Sequence, residues 1–243
     1  MKTSPLLVLS LGVLLGSSAL AQMHQPAASL ESMKITQTVD PIFPRSLMNS
    51  GVTTGACQVA ISVDASGRLS EVLVIRYTFP EFGDAAVAAL KRWTYVPARM
   101  NGEAVASTLD LVFNFEARGV VVSTATVGEA AQAMILRLLG DTYAYGPCPL
   151  EKLDRVPIPT VTVMPQYSKE LAAKGVKGPV TVEYYIDETG AVRMACVSPD
   201  DNQILGALTV AAVSQWKFAP PTSHGRPVLV KASQVFDFKG DDS

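Results

Sequence analysis

Two stretches of this chain, 123 residues apart, follow one irregular plan: WTYVPARMNG from Trp93 to Gly102 and WKFAPPTSHG from Trp216 to Gly225. Each has an aromatic two residues after the Trp (Tyr95, Phe218), a Pro four after it (Pro97, Pro220) and a Gly five further on. Composition does not regenerate such a run, so the chain is a repeat and every fold assignment must serve twice. Aligned backwards, PIFPRSLMNSG (Pro41 to Gly51) matches PQYSKELAAKG (Pro165 to Gly175). ACQVAISVDASGRLSEVLVI (Ala56 to Ile75) matches PVTVEYYIDETGAVRMACVS (Pro179 to Ser198), and VASTLDLVFNF (Val105 to Phe115) matches VLVKASQVFDF (Val228 to Phe238). Two copies are too few for a solenoid, so each is a small domain of about 75 residues with its own core.

Within a copy the local signals agree. Pro41 and Pro165 end an extended segment ahead of a short helix; Ser168 is an N-cap and Gly175 a C′ residue in the second copy. Cys57, Val59, Ile61 and Val63 then alternate with polar or small residues, as do Val180, Val182, Tyr184 and Ile186. DASG (Asp64 to Gly67) and DETG (Asp187 to Gly190) are hairpin turns, with an Asp to accept local N–H bonds and a Gly for the left-handed position. Val87, Leu90 and Trp93 share one face of a second helix; so do Val210, Val213 and Trp216. The Trp corner ends that helix and covers the open end of the sheet, and Pro and Gly redirect the chain.

The expected fold is α+β: two tandem modules, each a three-stranded antiparallel sheet with two helices on one face. Expected boundaries are a leader over residues 1–21, modules over 35–116 and 161–239, and a helical, Pro-rich tether over 117–160. GEAAQAMILRLLG (Gly128 to Gly140) carries Ala131, Met134, Ile135 and Leu138 at helical spacing, so the copies are expected to touch through it.

Lys2, the apolar run LLVLSLGVLLG and an Ala-Leu-Ala site before Gln22 form a secretory signal peptide, cleaved after Ala21. The run falls short of the ~20 apolar residues needed to span a bilayer, and the mature chain is expected to be periplasmic and not membrane-spanning. Losing Lys2 takes the formal charge from −2 to −3, which leaves no electrostatic footprint for nucleic acid. Of the three cysteines, Cys57 falls in the apolar phase of its strand and is read as a buried thiol, leaving Cys148 and Cys196 as the pair for a bridge.

The marks of catalysis are missing. His24 and His224 have no metal spacing, and no Cys-x-x-Cys, His-Glu-x-x-His, Gly-x-Ser-x-Gly or phosphate-cradling loop occurs. Asp200-Asp201 and Asp241-Asp242 lack the alternating oxygen ligands of a calcium loop. No enzyme activity, cofactor or metal is expected.

The ordered set PIFP, GVTTG, DASG and WTYVPARMNG, with its second version PQYS, GVKG, DETG and WKFAPPTSHG, resembles the C-terminal domain of the TonB energy-transducer family. The resemblance covers nearly all of the mature chain except the tether. It implies a periplasmic domain that binds a segment of an outer-membrane receptor, or of another envelope protein, laid along the last strand. The chain departs from the family pattern in its cleavable leader, in the short Gln22 to Lys34 stretch in place of a long spacer, and in Ser198-Pro199-Asp200 after the second strand.

The expected partner-binding edge is the last strand of the second copy: Val230, Lys231, Ala232, Ser233, Gln234, Val235 and Asp237. The expected function is a non-catalytic protein- or peptide-binding adaptor linked to outer-membrane transport. The alternatives are a membrane-anchored energy transducer and a scaffold in which the last strands of both copies pair and leave no free edge.

Overall fold

The computed structural model describes residues 30–124, 143–198 and 201–239; the expected leader and the helix over 128–140 lie outside them. The first module runs β1 (Leu30–Glu31), β2 (Lys34–Gln37), α1 (Arg45–Asn49), β3 (Thr54–Val63), β4 (Leu69–Tyr77), α2 (Pro80–Leu90), β5 (Thr94–Val96), β6 (Ala98–Met100), β7 (Glu103–Val105), β8 (Ser107–Glu116) and β9 (Gly119–Thr124). The second runs β10 (Pro159–Val161), α3 (Lys169–Ala173), β11 (Gly178–Ile186), β12 (Val192–Val197), α4 (Gln203–Val213), β13 (Lys217–Phe218), β14 (Thr222–Ser223), β15 (Arg226–Pro227) and β16 (Val230–Phe238).

The two modules are α+β and built alike. In the second, the antiparallel sheet has the order β12-β11-β16; in the first, the order is β4-β3-β8-β9. Val59 faces Leu111 on β8, and Val182 faces Gln234 on β16, so the 123-residue offset holds for the register as well as the sequence.

The repeated motifs fold for local reasons. Asp64 Oδ1 accepts from the N–H and hydroxyl of Ser66 and the N–H of Arg68; Asp187 Oδ1 accepts from the equivalent groups of Thr189 and Ala191. The Ser66 hydroxyl and the Arg68 N–H hold the exposed Asp64 carboxyl down to about 2. Gly190 closes its turn at φ +86°, where an added Cβ would sit 2.1 Å from the Phe218 carbonyl oxygen. The turn glycine is thereby pressed against the Trp corner, and only hydrogen fits between them.

That corner is pinned by its indole. Trp93 Nε1 donates to Val39 O at 2.8 Å, and Trp216 Nε1 donates to Val163 O at 2.8 Å. Each Trp thus ties the end of a helix to the extended segment ahead of its module, and buries its ring against Phe113 or Phe236. Helix α4 starts at Asn202, whose side chain accepts from Ile204 N and Leu205 N; α3 starts at Ser168, whose Oγ accepts from Leu171 N.

The modules touch directly, sheet against sheet, on the faces turned away from their helices. Ala60, Leu73, Ile75, Met194 and Leu229 form one buried cluster, flanked by Tyr145 and Tyr185. Arg193 clamps the seam. Its guanidinium bonds Glu71, Val72 O at 3.2 Å and Asp187 at 3.4 Å. Tyr145 donates to Glu188 and stacks on Tyr77 with centroids 4.8 Å apart. The copies are thus in direct contact, because Leu73 and Ile75 give the outer face of the first sheet apolar area of its own, which needs covering; the helix expected between them lies outside the described residues.

All three cysteines are free, so the expected Cys148–Cys196 bridge is absent. Cys148 N bonds Leu229 O, while burial in the seam raises the pKa of Cys196. Cys57 is buried in the first core, where desolvation pushes its thiol up to about 12 and keeps it protonated.

Candidate partner-binding edge

Each of the two sheets has two outer strands, and the seam closes one on each. Along β4, Tyr77 N donates to Tyr145 O and Tyr77 O accepts from Ala144 N at 2.9 Å, while Arg193 occupies Val72 O. Along β12, Met194 N donates to Glu71 Oε2 at 3.4 Å. Glu71 and Arg193 therefore cap each other's sheet edge with side chains, one of the ways natural sheets avoid adding strands.

The opposite sides differ. On the first module β9 pairs with β8 from Leu111↔Thr124 to Glu116↔Gly119, antiparallel. On the second module β16 pairs with β11 alone among the described strands. The last strands of the two modules do not pair with each other, because the sheets stack face to face.

Along β16 the pleat sorts the side chains. Val230 and Phe238 are buried on the helix side, with Ala232 and Phe236 half-buried between them. Lys231, Ser233, Val235 and Asp237 project from the other face and are exposed; Lys231 Nζ lies 2.8 Å from Glu183 on the neighbouring strand. Val235 is 56 % exposed, and its carbonyl accepts from Gln234 Nε2 at 3.0 Å. Gln234 falls on the helix side but is exposed, where the first module has fully buried Leu111. The second module's core thus stops one residue short of its edge.

Two features escaped sequence reasoning. Strand β9 has no counterpart among the described residues of the second copy, and sequence matching of the copies did not reveal it; its β-branched Val120, Val121 and Val122 were the available signal. The Glu71–Arg193 pair joins positions 122 residues apart and needs the seam to be known first.

The arrangement offers little chemistry. Ser223 Oγ lies 3.3 Å from His224 Nδ1, but Asp154 accepts from the backbone N–H groups of His224 and Gly225, at 2.8 Å each. The carboxylate serves the main chain rather than the imidazole, so these residues fix a turn and make no proton relay. Among the described residues no group of three or more His, Cys, Asp or Glu side chains could hold a metal ion, and no helix is long and apolar enough to cross a membrane.

No curated protein matches the chain. The profile of the family described as Gram-negative bacterial TonB protein C-terminal matches residues 39–117 and again 163–239, the two modules just described. Those matches take in more than half of the sequence, and the chain belongs to that family, with two copies of its domain in tandem.

Proposed function

We propose that the chain is a non-catalytic periplasmic adaptor that binds an extended segment of an envelope protein, such as an outer-membrane receptor, along β16. The observation that carries this reading is β9: the first module takes an added antiparallel strand on β8, the structural equivalent of β16. Main-chain bonds supply the affinity in this mode, and flanking side chains such as Val235 and Phe236 supply selectivity. Sealing of β4 and β12 across the seam directs a partner to β16. Export through the Met1–Ala21 leader fits the family's envelope setting, and an N-terminus at Gln22 on the mature protein would establish cleavage.

Gln234→Pro and Val235→Pro each remove one backbone donor from adjacent positions of β16, whose N–H groups point to opposite sides, so one of the two removes a donor on the open side. That variant should lose capture of an envelope partner while its circular dichroism spectrum stays native. Undiminished capture by both folded variants would refute binding at β16.

A further inference from the structure

We propose that the extended segment ahead of the second module is a shallow anchor for an anionic phospholipid surface. Val156, Ile158, Val161 and Met164 enter the lipid without spanning it, and Arg155, Lys169 and Lys217 meet the headgroups. The proposal is independent of the reading of β16. Three observations carry it.

The first is a difference between the copies. Trp93 Nε1 bonds Val39 O and Trp216 Nε1 bonds Val163 O, which aligns the two lead segments residue by residue, Val39 with Val163. The inward positions agree: Val39 and Val163 each pack against the core of their own module. The outward positions do not. Ser32, Lys34, Gln37 and Asp40 of the first copy are exposed and polar. Their counterparts in the second copy are Val156, Ile158, Val161 and Met164, which are between 46 % and 81 % exposed. Single exposed apolar residues are ordinary on a protein surface. Four large ones standing where the sister copy keeps four polar ones form a continuous ridge, and such a ridge marks a contact surface.

The second is the backbone. Pro157 and Pro159 have no N–H, Ile158 O accepts from Ala219 N at 3.0 Å, and Val163 O accepts from Trp216 Nε1 at 2.8 Å. These main-chain groups lose no hydrogen bond when the segment moves from water into lipid. The prolines also give an added strand no donor, so the ridge suits contact through side chains.

The third is charge. From Arg155 to Lys169 the sequence holds no Asp or Glu, in a chain whose formal charge is −2. Lys217 is exposed and lies opposite Val161 across the β10–β13 ladder. Asp154, beside Arg155, is turned instead to the N–H groups of His224 and Gly225. An apolar ridge rimmed by cations is complementary to an anionic bilayer surface. Four side chains also fall far short of the ~20–30 residues a side that a stable protein interface uses.

The test is co-sedimentation of the full mature chain with vesicles of phosphatidylglycerol and phosphatidylcholine in equal parts, or of phosphatidylcholine alone. Binding to the anionic vesicles should exceed binding to the neutral ones at least about tenfold, and should weaken as salt rises. Val156→Ser, Ile158→Lys, Val161→Gln and Met164→Asp together install the first copy's residues. This variant should lose at least about tenfold in binding to anionic vesicles, with its circular dichroism spectrum and Tm unchanged. Arg155→Gln with Lys217→Thr, which keeps the ridge, should weaken binding to the anionic vesicles alone. No binding by the wild type, equal binding to both vesicle types, or undiminished binding by either variant would overturn the proposal. So would a wild-type dimer in sedimentation velocity that the fourfold variant converts to monomer, since the ridge would then belong to a second copy of this chain. Both variants leave β16 intact, so peptide capture there is read separately and its failure changes none of these outcomes.

Discussion

Arg193 of the second module donates from Nε to Glu71 of the first and from Nη2 to the Val72 carbonyl, 3.2 Å away, so one side chain grips both a carboxylate and a sheet edge. Glu71 answers by accepting from Met194 N. Charge-assisted bonds of this kind contribute roughly 1.5–3 kcal/mol each where partly buried. Arg193→Ala and Glu71→Ala should each lower stability by about 1–3 kcal/mol, measured by denaturant unfolding. The double mutant should lose less than the sum. Additivity within about 0.5 kcal/mol would mean that the two residues do not act as a unit.

Met194 adopts φ +52° and is buried in the seam, at 5 % exposure. Left-handed backbone costs a non-glycine residue about 1–2 kcal/mol. Truncating a buried Met costs about 2–5 kcal/mol. Burial outweighs strain, so Met194→Gly should destabilise by roughly 1–3 kcal/mol despite relaxing the backbone. An increase in Tm would show that the side chain contributes less than the strain.

Trp93→Ala and Trp216→Ala should each cost about 3–5 kcal/mol, since both delete a large buried ring and orphan a carbonyl. Because the seam couples the modules, calorimetry should show one cooperative transition in the wild type and in each mutant. Two resolved transitions in the wild type would mean that the seam does not couple them.

Gln58 is buried, donates from Nε2 to Asp110 Oδ2 at 3.2 Å, and has an Oε1 with no partner. Burial raises the pKa of Asp110; the Gln58 bond and Lys231 oppose the rise, and Glu183 adds to it. For a carboxyl raised on folding, stability falls as pH climbs from the unfolded value through the folded one. Asp110→Asn removes that loss, and its amide can donate to the orphaned Oε1. It should stabilise the protein by about 1–2 kcal/mol at pH 7, with the gain shrinking toward pH 3. A pH-independent difference, or a loss at pH 7, would overturn this account.

Much of the fold was legible because its signals are local. The two Asp-x-x-Gly turns, the Ser168 cap and the Trp corners each depend on residues a few positions apart, and their recurrence checked every assignment twice. Cys57 in the apolar phase of β3 is likewise a local pattern, and its burial follows. The rest was decided by distant packing. Ala56, Gln58, Ala60 and Ser62 alternate as small or polar residues, the pattern of a solvent face, yet Leu73 and Ile75 from β4 turn that face into an interface. Strand β9 broke the repeat, and reasoning from the repeat passed over it. On β16 the alternation of Val230, Ala232, Phe236 and Phe238 was readable, but the exposure of Gln234 was not. It depends on how far the helix-side core reaches.

Glu71 and Met194 occupy the same position of their respective modules, 123 residues apart, and they are in contact. A contact centred on equivalent positions has the character of an isologous interface, in which one surface patch meets its own counterpart. Such an association is complete once two units have met. A head-to-tail contact between two similar domains would leave a donor surface at one end and an acceptor at the other, inviting filaments. In the duplicated chain that meeting takes place within one molecule, between Glu71 and Met194.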